Sequence, residues 1–451
     1  MHIPFLKLDH YKPINELPKI ALHANDYQIL LSAEAYRTTL LDMIRQAKNR
    51  IYLIGLYLER DEAGQEILKA LYQAKKANPA LKVNVIVDWH RAQRGRIGEG
   101  KAQTNANFYV DMKSQYPDLD IGIYGVPINR REVLGVLHLK GSIIDDSVIY
   151  TGASINNVYL HQLDKYRYDR YHIIKNATLA DSMVNLVEEQ LIASHATQNL
   201  NQPQQPSRKA IKPDIKLLRQ QLSQTTYQFA PSATNNELAV TPIIGLGKRN
   251  LLNQTIHHLI NSTQNKVVLC TPYFNLPNIL IKDIIRLLKK GKQVEIIVGD
   301  KTANDFFIPE DEPFNFIGGL PYLYEINLRK FITRLQTYVD KGLLTVRLWK
   351  HANNSYHLKG IWVDNDWIMI TGNNLNPRAW NLDLESAILI HDPKYELTGK
   401  FTQELSTIRE HTFVITHYQQ IQASQFYPKP VHKLIKHLRR IKIDKIIKNL
   451  L

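Results

Sequence analysis

The 451-residue chain repeats itself once, and this duplication constrains its fold more than any other feature. Self-similarity at roughly 20–50 residues marks a solenoid, whereas a much longer period marks a duplicated domain. Here the period is near 216–219 residues. In the first half, Ala33 to Lys48 has helical spacing, with Leu40, Leu41 and Ile44 on one face, and runs into the strand-like Asn49 to Leu58. In the second half, Lys248 to Gln264 repeats the pattern with Ile256 and Ile260 and runs into Asn265 to Phe274. A second helix and strand follow in each half, ending in KVNVIVDW and in QVEIIVGD. Short β-branched runs alternating with helices predict α/β units around a sheet. We therefore expect two tandem α/β domains related by a pseudo-two-fold axis, with a site between them. Residues 196–215, rich in Gln, Asn and Pro, have linker composition. They place the join near 205 and divide the chain into 1–205, 206–428 and a tail, 429–451.

The chemical signal lies at corresponding positions of the halves. The first carries HLKGSIIDDSVIYTGASIN, with His138, Lys140, Asp145, Gly152, Ser154 and Asn156. The second carries HLKGIWVDNDWIMITGNNLN, with His357, Lys359, Asp364, Gly372, Asn374 and Asn376. Residues i and i+2 of a strand share a face, so the His and Lys of each motif project together. Packing two such domains about a pseudo-two-fold axis brings two imidazoles and two ammonium groups to one cleft. That set suits phosphoryl transfer. One His attacks phosphorus and carries a phospho-histidine, and the other protonates the leaving oxygen and later deprotonates the acceptor. The lysines, the Ser and Asn side chains and the turn amides neutralise the non-bridging oxygens. Ammonium groups take a metal's electrostatic role, so neither metal nor cofactor is expected. Asp169 opens the run DRYHIIK and Glu385 opens ESAILIH, 31 and 28 residues after the respective motif histidines. We expect these two acids to hold an imidazole Nδ1–H, as in a triad, and Asp145 and Asp364 to brace local backbone. One such motif arises by chance on a solvated edge, but two at matching positions of a duplication do not.

The paired motif resembles the phospholipase D superfamily. The strings IVDWHRAQRGRIG, VYLHQLDKYRYDRYH, IIVGDKTANDFFIPEDEPF, LPYLYEINLRKF and TGNNLNPRAWNLDLESAILIHDP resemble the bacterial, Gram-negative-type phosphatidylserine synthases over essentially the whole chain. The resemblance implies transfer of a phosphatidyl group from CDP-diacylglycerol to L-serine, releasing CMP, on the way to phosphatidylethanolamine. It also implies independence of divalent metal and peripheral attachment to the inner face of the cell membrane, and it allows ribosome association. Carried over, His138 is the nucleophile and His357 the acid for CMP. Asn374 stands where the first motif has Ser154, and one extra residue separates Asp364 from Gly372, which puts equal roles for the halves in question. Phospholipases D and cardiolipin synthases share the histidines and differ in acceptor, so both stand as alternatives. A nuclease is a weaker one.

Lys and Arg number 57 against 42 Asp and Glu, a net +15 that suits nucleic acid, an anionic membrane or a phosphorylated substrate. Much of this charge is terminal and no groove-reading motif is visible, which argues against a specific nucleic acid. The single cysteine, Cys270, excludes a disulfide framework and fits a reducing compartment. No apolar run approaches the roughly 20 residues of a membrane span, and the start lacks a signal peptide's apolar core, so a cytoplasmic location is expected. The loop after KVNVIVD carries His90, Arg91, Arg94 and Arg96, near the strand end where α/β proteins bind ligands. These are candidates for the diphosphate or the cytosine, with Lys301 and Asn304 in the equivalent stretch. Arg167 or Tyr168 is a candidate for the serine carboxylate. The tail has eight Lys or Arg and one acid, with Leu434, Leu438 and Ile441 on one helical face. Its Lys433, Lys436, Arg439, Arg440, Lys442 and Lys445 are expected to face anionic lipid. Oligomeric state is left open, a homo-oligomer included.

Overall fold

A computed structural model describes residues 9–95 and 103–440 of the chain. Ser32 accepts the Ala35 N–H at 3.1 Å and starts helix Ala33–Gln46, which buries Tyr36, Leu40, Leu41 and Ile44. Such a side chain satisfies one of the amides that a helix start leaves unpaired. Asp61 and Asn250 do the same for helices Glu62–Ala77 and Leu251–Asn261. Each half holds a parallel strand pair at its centre, Arg50–Ile54 with Lys82–Asp88 and Lys266–Thr271 with Gln293–Gly299. Their near-continuous apolar runs match a sheet covered on both faces.

The two sheets share one plan. From the parallel pair, the first continues through the hairpin Ser142–Ile144 and Ser147–Thr151 to Tyr171–Lys175 and Tyr27–Leu30. The second continues through Gly360–Val363 and Trp367–Thr371 to Leu384–His391 and Ala239–Leu246. Each hairpin follows an HxK motif, and each next strand begins at or beside an expected acid.

The lobes are interlocked. Ile20–Ala21 pairs with Ala239–Val240 in the second sheet, and helix Tyr11–Asn15 packs on Leu251–Asn261. The start of the expected 1–205 unit thus sits on the second lobe. Past the expected join, helix Lys212–Leu222 returns to the first lobe's core with Ile215, Leu218 and Leu222 buried. Its i, i+3, i+7 apolar spacing was masked by polar composition. One buried apolar cluster runs through both lobes, joining Ile143 and Tyr150 to Trp362, Ile370 and Ile388.

The tail differs from expectation in a second way. Lys429–Arg440 is a helix, but its apolar side is docked, with Val431 and Ile435 packed with Tyr322, Ile326 and Tyr427 and Leu438 also buried. Of the expected stripe Leu438 is buried and Leu434 half-buried, and Val431 and Ile435 join them because the helix lies against helix Leu320–Asp340 and not on an open surface. Lys433, Lys436 and Arg440 stay exposed. The Arg439 side chain, and Ile441, Lys442 and Lys445, fall outside the described set. Among the described residues no helix is long and apolar enough to cross a membrane.

Candidate active site

Each HxK motif enters along the opposite lobe before joining its own sheet. His138 N–H donates to Leu384 O and Leu384 N–H to Val136 O, both at 3.0 Å. In the mirror position, Ser355–Tyr356 pairs in parallel with Arg167–Tyr168, and His357 N–H donates to Tyr168 O at 2.9 Å. The motifs are therefore crossings between two ladders, not the interior of one strand. All four motif side chains, His138, Lys140, His357 and Lys359, are buried. The Lys140 N–H donates to Ser386 Oγ in the other lobe at 3.1 Å. The turn glycines exist for close approach: a Cβ on Gly372 would lie 2.6 Å from Lys140 Cγ, and one on Gly152 would lie 2.6 Å from the Asp169 carboxylate.

The histidine–acid pairs are crossed between lobes. His138 Nδ1 meets Glu385 Oε2 at 2.9 Å, and His357 Nδ1 meets Asp169 Oδ2 at 2.8 Å. The sequence left open which acid serves which imidazole; the parallel cross-lobe ladders set the crossed pairing. In both pairs Nδ1 is engaged; the Nε2 of His357 also has Lys359 Nζ at 3.1 Å and the Tyr159 hydroxyl at 3.3 Å beside it. Lys359 Nζ lies 3.3 Å from Asp169 Oδ2 and also touches His357. Lys140 Nζ is buried and has no hydrogen-bond partner among the described residues, and neither has Glu385 Oε1.

The two pairs differ electrostatically. Burial would raise the Asp169 pKa, yet Lys359 and His357 hold it down at about 2, so it is a firm carboxylate. Burial, together with Asp383, pushes Glu385 well up. Burial lowers both imidazoles, with Lys359 adding to the shift of His357, to about 4, and Lys140 to that of His138. Burial first, and then the charge on Lys359, bring Lys140 down to about 8. Both histidines are thus neutral near pH 7. One sits beside a charged acid and the other beside an acid that resists ionisation.

The remaining candidates are placed as follows. Asp145 and Asp364 adopt positive φ at their hairpin turns and accept backbone N–H groups from 48–50 and 264–266, away from the histidines. Asn156 accepts Tyr159 N–H at 3.1 Å and Asn376 accepts Ala379 N–H at 2.9 Å, so both cap the turn after a motif. Ser154 is buried, and the Asn374 carbonyl accepts from Thr271 at 2.6 Å. His90 donates to Asn129 O at 2.7 Å. Arg91 and Arg94 both reach Glu132, at 3.5 and 2.6 Å, and Arg96 lies outside the described residues. Lys301 pairs with Glu325 at 3.2 Å, while Asn304 accepts Phe306 N–H at 2.9 Å and shapes its own loop. The Tyr168 ring stacks on Trp349 at 5.7 Å. Its strand alternation with Arg167 and Asp169 turns it to the opposite face.

Three functional features escaped the sequence reading. The Tyr159 hydroxyl lies 3.1 Å from His357 Nδ1. Asp305 pairs with Arg167 at 2.9 Å. Arg170 forms a buried bidentate pair with Glu404, both contacts at 2.8 Å, which ties the lobes together behind the site. Arg170 was visible only as one basic residue in KYRYDRYH, and nothing local marked a partner 234 positions away.

Residues 40–190 and 256–409 match a family model described as "Cardiolipin synthase, PLD-like domain". The chain is 55% identical over 447 residues to the CDP-diacylglycerol–serine O-phosphatidyltransferase of Escherichia coli, covering 99% of each. It superposes on the crystal structure of phosphatidylserine synthase from Haemophilus influenzae with a TM-score of 0.96, at 49% identity, covering 98% of this chain and 99% of that one. It is 26% identical over 448 residues to the CDP-diacylglycerol–glycerol-3-phosphate 3-phosphatidyltransferase of Saccharomyces pastorianus, covering 87% of this chain and 83% of the relative.

Proposed function

The chain belongs to the CDP-diacylglycerol–serine O-phosphatidyltransferase family of phospholipase D-like enzymes, and from that premise we propose how its crossed site makes phosphatidylserine and CMP from CDP-diacylglycerol and L-serine. His138 Nε2 attacks the phosphorus of the phosphatidyl group. An N–P bond forms and the P–O bond to CMP breaks; CMP leaves as a phosphate anion, so the neutral His357 does not have to supply the proton expected of it from the sequence. Serine then enters. His357 Nε2 takes the proton of its hydroxyl, the oxygen attacks phosphorus, and the N–P bond to His138 breaks. Lys140 and Lys359 balance charge on the non-bridging oxygens, in a desolvated site where such charges act most strongly. Asp169 and Glu385 orient the rings and fix their tautomers.

The observation that carries this reading is the pair of crossed imidazole–carboxylate contacts around a buried lysine that lacks a partner. His138 suits the nucleophile because Glu385 Oε2, accepting its Nδ1–H, leaves the lone pair on Nε2. His357 next to the firm carboxylate of Asp169 suits the group that must become an imidazolium. Mixing the protein with phosphorus-labelled CDP-diacylglycerol alone, and quenching in base, traps label on the native chain. His138→Ala abolishes the label; a labelled His138→Ala protein would refute the assignment.

Arg91 and Arg94 bind the diphosphate in exchange for Glu132. Attachment to the inner face of the membrane is peripheral. The exposed Lys433, Lys436 and Arg440 contribute about 1 kcal/mol each near anionic lipid. The apolar contribution comes from Phe316, Ile317 and Phe426, which are exposed on the segments flanking the docked helix. Deleting 429–451 weakens binding to anionic vesicles more than it lowers the rate in detergent micelles, and unchanged vesicle binding would contradict the assignment.

A further inference from the structure

The two halves treat one matching position in opposite ways. Two residues before Asp169 stands Arg167, and two residues before Glu385 stands Asp383. Asp383 is saturated: one oxygen accepts Val136 N–H at 3.0 Å and the other accepts Arg378 Nε–H at 2.9 Å. Arg167 is not. Its Nε donates to Ser355 Oγ at 3.3 Å and lies 2.9 Å from Asp305 Oδ1. That second contact lacks hydrogen-bond alignment, so Asp305 Oδ1 is a buried acceptor without a donor. Asp305 Oδ2 is fixed by the Tyr273 hydroxyl at 2.8 Å. The two terminal guanidinium nitrogens of Arg167 make no hydrogen bond among the described residues.

This half-satisfied ion pair adjoins His357. The Arg167 guanidinium lies 4.8 Å from the centre of the Tyr159 ring, whose hydroxyl is the one beside His357. Arg167 also shares a strand face with Asp169, the acid that orients that imidazole. A positive and a negative group held side by side, each with unused hydrogen-bonding capacity, are complementary to a zwitterion. A guanidinium takes a carboxylate in a two-pronged contact, and a carboxylate oxygen takes an ammonium.

We propose that Arg167 and Asp305 form the acceptor subsite for an α-amino acid, with the serine carboxylate on the Arg167 terminal nitrogens and its ammonium on Asp305 Oδ1, which aims the hydroxymethyl group at His357. The inference rests on the reading above that serine is the acceptor. It assigns the amino-acid end of the reaction to the His357 side, leaving His138 to the lipid.

The test compares acceptors within each variant, so a general loss of activity cancels. The native enzyme, Asp305→Asn and Arg167→Met are supplied with CDP-diacylglycerol and either L-serine, 3-hydroxypropionate or ethanolamine, and kcat/KM is measured for each product. The native enzyme prefers serine over both. Asp305→Asn loses at least tenfold of its preference for serine over 3-hydroxypropionate, which lacks the ammonium. Arg167→Met loses at least tenfold of its preference for serine over ethanolamine, which lacks the carboxylate. Unchanged ratios in both variants overturn the subsite. A second measurement needs no variant: L-alanine competes with serine on the native enzyme, while propionate and ethylamine at the same concentration do not. Equal competition by all three also overturns it. Failure of the native protein to label phosphatidylserine from serine would instead remove the reaction itself, a distinct result.

Discussion

Exchange of the carboxylates between lobes gives the sharpest prediction. Glu385 stands in the second lobe, in the chain segment of the second motif, yet its contact is with His138 of the first. Glu385→Gln keeps the shape and removes the acid. The contact is 2.9 Å long, and the two side chains are only 9% and 2% exposed, so water does not replace it. A hydrogen bond to a charged or strongly polarised partner contributes about 1.5–3 kcal/mol. At about 1.36 kcal/mol per decade this is roughly 10- to 150-fold in rate. An amide can also turn its NH2 toward Nδ1, which puts the ring proton on Nε2 and disables attack; loss of the correct tautomer in comparable triads reaches about 10⁴. The assay is rapid-quench trapping of labelled phosphatidyl-enzyme. Glu385→Gln forms the label at least tenfold slower, while the label that does form is discharged by serine with a much smaller change. Asp169→Asn shows the reverse, because CMP leaves as a phosphate that needs little protonation whereas the serine hydroxyl must lose its proton. Normal labelling by Glu385→Gln with persistent label in the presence of serine would mean that pairing within each lobe governs the chemistry, and would refute the argument.

Other expectations are as direct. Lys140, with its pKa brought down to about 8 by burial and Lys359, loses its charge as pH rises, so kcat falls about tenfold per unit above pH 8; Lys140→Arg abolishes that alkaline limb, and a flat native profile from pH 7.5 to 9.5 would contradict it. Removing one partner of the buried Arg170–Glu404 pair, as in Glu404→Leu, costs about 3–5 kcal/mol in urea unfolding, and the double variant with Arg170→Met costs less than the sum. Glu404 is held near 2 in the folded chain against its burial, chiefly by Arg170, below its ordinary 4.5. Its contribution is therefore fully present above about pH 4.5 and is lost as pH falls toward 2, which acid titration of the unfolding midpoint measures. Gly372→Ala drives a methyl to within 2.6 Å of Lys140 Cγ and costs about 1–3 kcal/mol together with most of kcat, whereas Gly291→Ala, with no neighbour within 4 Å, leaves kcat unchanged.

Local signals made the units of the fold legible. Apolar periodicity located helices Ala33–Gln46 and Asn278–Lys289 and strands Lys82–Asp88 and Gln293–Gly299, because each buries a face that repeats at its own period. The HxK repeat located both histidines and both lysines, and the acids opening the next strands were also visible. Partnership was not. The crossing of Glu385 to His138 depends on parallel ladders between segments about 247 positions apart. The basic residues of WHRAQRG read as free ligands because their neutralising partner, Glu132, comes 38 positions after Arg94. The tail read as an open amphipathic surface because its docking partner, Leu320–Asp340, shows no sign in sequence of reserving a groove for it. Periodicity tells which face is apolar and is silent about what covers it.

Because each imidazole borrows its carboxylate from across the seam, neither half of the gene encodes even half of an enzyme. Separating the lobes by an ångström or two lengthens both triad contacts together while every strand remains intact. Turnover therefore gauges how tightly the halves are closed, and a thermal ramp should extinguish catalysis before circular dichroism registers any melting.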